Sequence, residues 1–225
     1  SALINLHTAQ ECVNKKVKKV LYSSSACMYP EYNQLDPNNP KLSEDSAYPA
    51  QPDSEYGWEK LFSERLYLTY NRNLGLNCKV ARFHNIYGPE GAWNNGKEKA
   101  PAAICRKVIL ASEDSSIEIW GDGLQTRSFL YIDDCLDALR LFMDSDKNGP
   151  YNVGSEEMIS INDFAKMIIE ISGKNLDINN IDGPTGVRGR SSDNTLIEKD
   201  LAWKMKYSLK KGITKTYEWI TSQAK

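Results

Sequence analysis

The chain has 225 residues and a mass of 25.4 kDa, enough for one or two domains with a sizeable core. Hydrophobic residues make up 40% and charged residues 26%, at a mean hydropathy of −0.55, which excludes a disordered tail, a collagen-like repeat and a membrane span. Lys plus Arg (28) against Asp plus Glu (30) leaves a net charge of −2, so no global basic field draws in nucleic acid and partners must be sought at sites.

In chain order, Leu3, Ile4, Leu6, Ala9, Cys12 and Val13 recur near helical spacing and predict a helix over residues 1–16, with Lys15 and Lys16 complementing its C-terminal end. Val17, Val20, Leu21 and Tyr22 then form a short β-branched and aromatic run that ends in Ser23-Ser24-Ser25. Such a run reads as a buried parallel strand that presents polar residues at its C-terminal edge, where ligands gather in open α/β sheets. From Pro30 to Pro52 five prolines mark a long irregular excursion, and loops of that length are uncommon unless functional. A helix is predicted over Tyr56 to Asn73, stopped by Gly75, and a strand over Cys78 to Phe83.

Further on, a helix is predicted over Ala100 to Ala111 with Pro101 in its first turn, and a strand over Ile117 to Trp120 stopped by Gly121-Asp122-Gly123. A strand over Phe129 to Ile132 leads into a helix over Asp133 to Met143 capped by its aspartate. Tyr151 to Val153 reads as a strand, Ser160 to Ile171 as a helix opened by Ser160 with Asp163 three residues on, and Ile213 to Gln223 as a closing helix. Alternating strands and helices predict an α/β fold with a mainly parallel sheet, and no internal repeat is present.

The cysteines Cys12, Cys27, Cys78, Cys105 and Cys135 are odd in number and scattered, with no C-x-x-C, and the two histidines His7 and His84 stand at no ligand spacing. The expectation is reduced thiols, a cytoplasmic location and no metal. No signal peptide is visible.

The sharpest local feature is Tyr56-Gly57-Trp58-Glu59-Lys60. On a helix, i, i+4 spacing puts phenol and ammonium on one face about 6 Å apart, where the cation favours a phenolate able to take a hydroxyl proton. A surface pair is the plain alternative, and Tyr207 with Lys211 repeats the spacing in the same chain. Context separates the two, because Tyr56 follows a strand ending in Ser23-Ser24-Ser25-Ala26-Cys27 and Tyr207 follows none.

A hydroxyl at a strand edge, a tyrosine and a lysine together resemble the triad of the short-chain dehydrogenase/reductase enzymes. The chain is similar to their extended branch, the NAD-dependent epimerase/dehydratase family acting on nucleotide-sugars. Arg82-Phe83-His84-Asn85-Ile86-Tyr87-Gly88-Pro89 matches that branch after the following strand, and Trp120-Gly121-Asp122-Gly123-Leu124-Gln125-Thr126-Arg127-Ser128-Phe129 matches its nucleotide-gripping segment. Within the branch, Ser23 to Pro30, Lys97-Glu98-Lys99-Ala100-Pro101 and Gly186 to Asn194 resemble the GDP-mannose 3,5-epimerases, over almost the whole chain.

The resemblance implies a partial Rossmann-like doubly wound parallel sheet with its N-terminal strands missing, plus a smaller α/β substrate-binding domain. Residues 1–90 would be the remaining half of the NAD-binding domain. Residues 91–225 would be mainly the nucleotide-sugar-binding domain, with about 121–155 returning to the sheet. It implies NAD as cofactor, a nucleotide-sugar, GDP-mannose, as substrate, and a homodimer formed through helices 1–16 and 56–73. Tyr56, Lys60 and Ser25 would oxidise and re-reduce C4, and Cys27 and Lys99 would exchange protons at C3 and C5. Ser24, Tyr56, Lys60 and Phe83 would meet the cofactor, Asn85 and Gln125 the substrate. Arg190, Arg127 and Lys107 are candidates for the diphosphate, since a guanidinium fork suits phosphate oxygens. The structural alternative for Arg190 is a loop arginine paired with Asp182 or Asp193, and for Cys27 a small buried hydrophobe.

Two other functions stay open at this stage. One is a 4-epimerase or 4,6-dehydratase in which Cys27 is incidental; the other is a non-catalytic nucleotide-sugar-binding fragment. The glycine-rich turn that such a fold uses for pyrophosphate is not found upstream. The spacing Gly183, Gly186, Gly189 contains Pro184 and comes too late in the chain to begin a dinucleotide fold. The chain alone is therefore expected to hold NAD poorly and to be inactive.

Overall fold

The computed structural model describes residues 2–224. Helix α1 (Ala2–Asn14) leads into β1 (Val20–Ser25), and the excursion after β1 carries three short 3-10 turns and β2 (Lys41–Leu42) before α2 (Glu55–Leu74). Then come β3 (Cys78–Phe83), β4 (Ile86–Tyr87), α3 (Ala100–Leu110), β5 (Ser115–Trp120), β6 (Thr126–Ser128), β7 (Leu130–Tyr131) and α4 (Ile132–Asp144). The chain closes with β8 (Tyr151–Val153), β9 (Met158–Ser160), α5 (Ile161–Ser172), β10 (Leu176–Ile181), β11 (Gly189–Ser192), α6 (Thr195–Leu201) and α7 (Leu209–Gln223).

A parallel sheet of order β1-β3-β8 organises the N-terminal part, with Val20 opposite Cys78 and Phe83 opposite Val153. Strand β3 is buried on both faces, as a central parallel strand should be. Cys78 and Val80 pack with Ala9, Tyr22 and Tyr67 beneath α1 and α2, while Ala81 packs with Cys135, Ala138 and Phe142 of α4 on the opposite face. A second core joins Ile104 and Val108 of α3, Ile117 and Ile119 of β5, Phe164 and Ile168 of α5, and Ile213 and Ile220 of α7. The Lys174 ammonium closes the end of α3 by donating to the carbonyls of Val108, Ile109 and Ala111, which the last turn leaves without amide partners.

Several expected elements differ in detail. The proline-rich excursion is not wholly irregular: Leu42 and Ala47 are buried with Met28 and Tyr29, and β2 pairs with β11. The expected strand over Phe129 to Ile132 is two residues, Leu130 and Tyr131, and α4 begins at Ile132 with no side-chain cap. Asp133 and Asp134 lie inside the first turn. The Asp134 carboxylate, fully buried, instead accepts the backbone amides of Lys206 and Tyr207 and anchors the segment before α7. Strand β10, absent from the expected elements, pairs in parallel with β5 and leaves Asn179 and Asn180 exposed. Ser160 caps α5 as expected, accepting the Asp163 amide.

Candidate active site

A cavity of about 820 Å³ opens where the C-terminal edges of β1 and β3 face α3, β5 and the 183–190 loop. Of the residues singled out in the sequence, Ser25, Cys27, Tyr56, Phe83, Asn85, Lys99, Lys107, Gln125, Arg127 and Arg190 line it. They come from seven separate stretches of chain.

The local sequence explains how they meet. Ser25 ends β1 and caps the 3-10 turn Ala26–Met28, its Oγ accepting the Cys27 amide at 3.2 Å, so serine and cysteine are presented one turn apart. Helix α2 starts at the Ser54 cap and rests directly on that turn at Gly57, where an added Cβ would stand 2.2 Å from the Cys27 carbonyl oxygen. Glycine between Tyr56 and Trp58 is what lets α2 approach the turn this closely, with Tyr56 beside Ser25 in the cavity lining. Asn85 follows β3 at φ +43, a left-handed conformation that asparagine tolerates better than most residues, and its side-chain amide donates to Ser128 O at 2.9 Å.

Lys60 stands at the distance from Tyr56 that the i, i+4 spacing expects. Lys60 Nζ donates to Ser23 O at 2.8 Å and stands 5.6 Å from the Tyr56 ring centroid. Burial pushes the Tyr56 phenol above its usual pKa, against the Ser25 hydrogen bond, which lowers it, and with the neighbouring Cys27 sulfur, which raises it. Ser24 and Lys60 do not line the cavity. Ser24 is buried and donates to Glu64 Oε2 at 2.7 Å. The repeat of the spacing, Tyr207 with Lys211, lies elsewhere; its ammonium sits 4.3 Å from the ring centroid and its ring packs on Tyr131.

The cations separate into different places. Arg190 is 92% buried, and its Nη1 donates to Cys27 Sγ at 3.1 Å, its Nε to Gln34 Oε1 at 2.6 Å. Its Nη2 has no hydrogen-bond partner and stands 3.9 Å from Asp53 Oδ1. Asp53 is an acid beside Arg190, and the guanidinium sits against the cysteine. Arg127 donates to Thr126 O and Thr185 O, and burial, followed by the charge of Arg190, pushes its pKa down to about 10. Lys107 donates to Glu118 O at 2.6 Å, and Arg188 pairs with Asp122 at 3.1 Å on the rim. Gln125 donates to Trp120 O and leaves its buried Oε1 unpartnered. Lys99 is the exposed residue just before α3. Gln34, Asp53 and Thr185 were not found by sequence reasoning; the length of the excursion was the only signal for the first two.

Behind the cavity His84 is fully buried, its Nε2 3.0 Å from Asn152 Oδ1. Desolvation, with Arg190 and Arg82 adding to it, pushes its pKa down to about 3. An unfolded histidine titrates near 6.5, so between those values the unfolded chain takes up a proton that the folded chain refuses, and stability falls as pH drops. At about 1.4 kcal/mol per pH unit, urea unfolding should show the protein losing about 2 kcal/mol more between pH 6.5 and 5 than His84→Asn does. Equal losses in the two proteins would refute this role for His84.

Among the described residues, no group of three or more His, Cys, Asp or Glu could hold a metal, and no helix is long and apolar enough to cross a membrane.

Comparison with known proteins gives consistent matches. Residues 2–154 match the model of the NAD dependent epimerase/dehydratase family. The chain is 49% identical over 207 residues to GDP-mannose 3,5-epimerase of Arabidopsis thaliana, covering 92% of this chain and 54% of that protein. Thus it spans about half the length of the curated relatives it matches. Among solved structures, it superposes on UDP-glucose 4-epimerase of Thermotoga maritima, in complex with UDP-glucose, with a TM-score of 0.88 at 26% identity, over 98% of this chain and 69% of that one. UDP-glucuronic acid 4-epimerase of Bacillus cereus, in complex with UDP-glucuronic acid and NAD, gives a TM-score of 0.83 at 26% identity, over 99% and 67%.

Proposed function

The chain belongs to the NAD dependent epimerase/dehydratase family, and from that membership we propose that the protein is a nucleotide-sugar epimerase acting on GDP-mannose. The observation that carries the reading is that Cys27 and Lys99 line the same cavity as Tyr56 and Ser25. A 4-epimerase needs only the last two, whereas proton exchange at the carbons flanking C4 needs a second acid/base pair.

NAD, when bound, supplies reversible hydride acceptance at the sugar carbon. The residues here fit its nicotinamide end, because Tyr56, Ser25 and Phe83 come together at the C-terminal edge of a parallel sheet, where such ligands sit. Tyr56, as the phenolate, takes the proton of the C4 hydroxyl to become the phenol and returns it in the reverse step, with Ser25 beside it and the Lys60 ammonium near its ring. A ketone at C4 acidifies the hydrogens on C3 and C5, so the sulfur of Cys27 and the amine of Lys99 can remove and return protons there. Arg127 and Lys107 suit the diphosphate; Arg190, held on Cys27, suits the sugar end. Asn85 and Gln125 are the neutral polar groups left to orient the substrate.

In this reading residues 1–90 belong to the cofactor domain and 91–225 mainly to the substrate domain. The place of β8 beside β3 supports a return of about 121–155 to the sheet. Leu3, Ile4, Trp58 and Phe62 stand exposed on α1 and α2, which suits a homodimer through those helices. Five free cysteines suit a reduced, cytoplasmic setting. No glycine-rich pyrophosphate turn joins a strand to a helix within these 225 residues, so the chain by itself is proposed to hold NAD weakly.

Isothermal titration tests the division. The 225-residue chain should bind GDP-mannose with heat while NAD gives little or none. No binding of GDP-mannose would refute the substrate assignment, and tight binding of NAD would refute the proposed dependence on a further segment.

A further inference from the structure

Gln34 lies in the proline-rich excursion and carries no recognisable motif, yet it is fully buried and all its polar atoms are engaged. Its Nε2 donates to Tyr29 O at 3.2 Å and to Pro30 O at 3.1 Å, the two carbonyls that follow the Cys27 turn. With both donors committed to carbonyls, the amide can present only its oxygen to the other side, and that oxygen accepts Arg190 Nε at 2.6 Å. A guanidinium is planar and rigid, so fixing Nε fixes both Nη atoms. Nη1 then falls on Cys27 Sγ at 3.1 Å, and Nη2, 3.9 Å from Asp53 Oδ1, is left without a hydrogen-bond partner on a residue 8% exposed that lines the cavity.

We propose that Gln34 is a positioning residue that orients Arg190, so that one arm of the guanidinium engages the Cys27 sulfur and the other is free for an anionic or hydroxyl group of the substrate. The proposal rests on the reading of Cys27 as an acid/base, but its geometry stands without it. Two bonds tie the turns bearing Gln34 and Cys27 to β11 across 156 and 163 positions of sequence. The guanidinium donates directly to the sulfur, so the rate of thiol alkylation at Cys27 reports whether Arg190 is in place.

The test needs no turnover. The protein, Gln34→Met and Asn33→Ala are alkylated with iodoacetamide at neutral pH, and the rates at Cys27 and Cys12 are followed by peptide mass spectrometry. Asn33 is the control for the turn itself, since its amide donates to Ser46 O and does not touch Arg190. Gln34→Met should slow alkylation at Cys27 about fivefold or more and leave Cys12 unchanged, while Asn33→Ala leaves both rates within about twofold. If Gln34→Met does not fold, Gln34→Asn, one methylene too short to hold the turn and reach Nε together, should slow Cys27 in the same direction. An unchanged Cys27 rate in the folded Gln34 variant, or an equal slowing in Asn33→Ala, overturns the proposal. Failure of the chain to bind GDP-mannose would instead remove the epimerase reading and leave this result standing.

Discussion

Replacing Glu64 by alanine is expected to cost about 3–5 kcal/mol of folding free energy, because it strands a guanidinium in the interior. Arg82 is 2% exposed and Glu64 fully buried, and the pair is bidentate, Nη2 to Oε1 at 2.6 Å and Nε to Oε2 at 3.1 Å. The remaining arm of Arg82 donates to the Tyr29 hydroxyl and to Glu44 O, both at 2.9 Å. The second carboxylate oxygen also takes the Ser24 hydroxyl, so one carboxylate ties α2 to β1 and β3 at the edge that carries Ser25. A whole domain is stable by only about 5–15 kcal/mol, so Glu64→Ala should bring the protein close to unfolding at 37 °C. Urea denaturation measures it. Glu64→Leu combined with Arg82→Met should recover much of the loss, since an apolar pair of similar volume leaves no charge without a partner. A loss under about 1 kcal/mol for Glu64→Ala would refute this account of the network.

That network was not legible in the sequence, and the reason is physical. Period and composition report the type of an element, so α2, β1 and β3 could be read from Leu61, Leu66, Val20 and Val80, although Trp58 and Phe62 of the same apolar pattern stand exposed. They do not report which buried charge meets which, because Glu64 on a helix pattern looks like a solvated residue until β3 brings Arg82 against it. Strands β6, β9 and β11 are only three or four residues long and exist through their partners, so no local pattern could reveal them. The candidate site was more legible, because the Ser25, Cys27, Tyr56 and Lys99 segments carry motifs that survive without neighbours. What the motifs could not give was geometry. Arg190 read as a diphosphate ligand, and only folding puts it on a sulfur 163 residues away. Gln34 had no signal beyond lying in a loop too long to be idle.

Changing Cys27 to serine is expected to reduce solvent exchange at one of the two carbons beside C4 by a factor of about 10²–10⁴, the usual contribution of a positioned acid/base. The substitution keeps the shape of the side chain and an acceptor for Arg190 Nη1, but a hydroxyl near neutral pH is far too weak a base to remove a proton from carbon. The measurement is deuterium incorporation into GDP-mannose in D2O, read by NMR at C3 and C5, with NAD present and the chain joined to a segment carrying the glycine-rich turn. Lys99→Met should silence the other carbon and spare the one served by Cys27. Tyr56→Phe should silence both, because without a ketone at C4 neither hydrogen is acidic. The pattern distinguishes the chemistry from its nearest alternative. A 4-epimerase or dehydratase passes through the same ketone using Tyr56 and Ser25, and its turnover would be indifferent to serine at position 27. Full exchange at both carbons in Cys27→Ser would therefore reassign the reaction while leaving the family and the cavity as they stand.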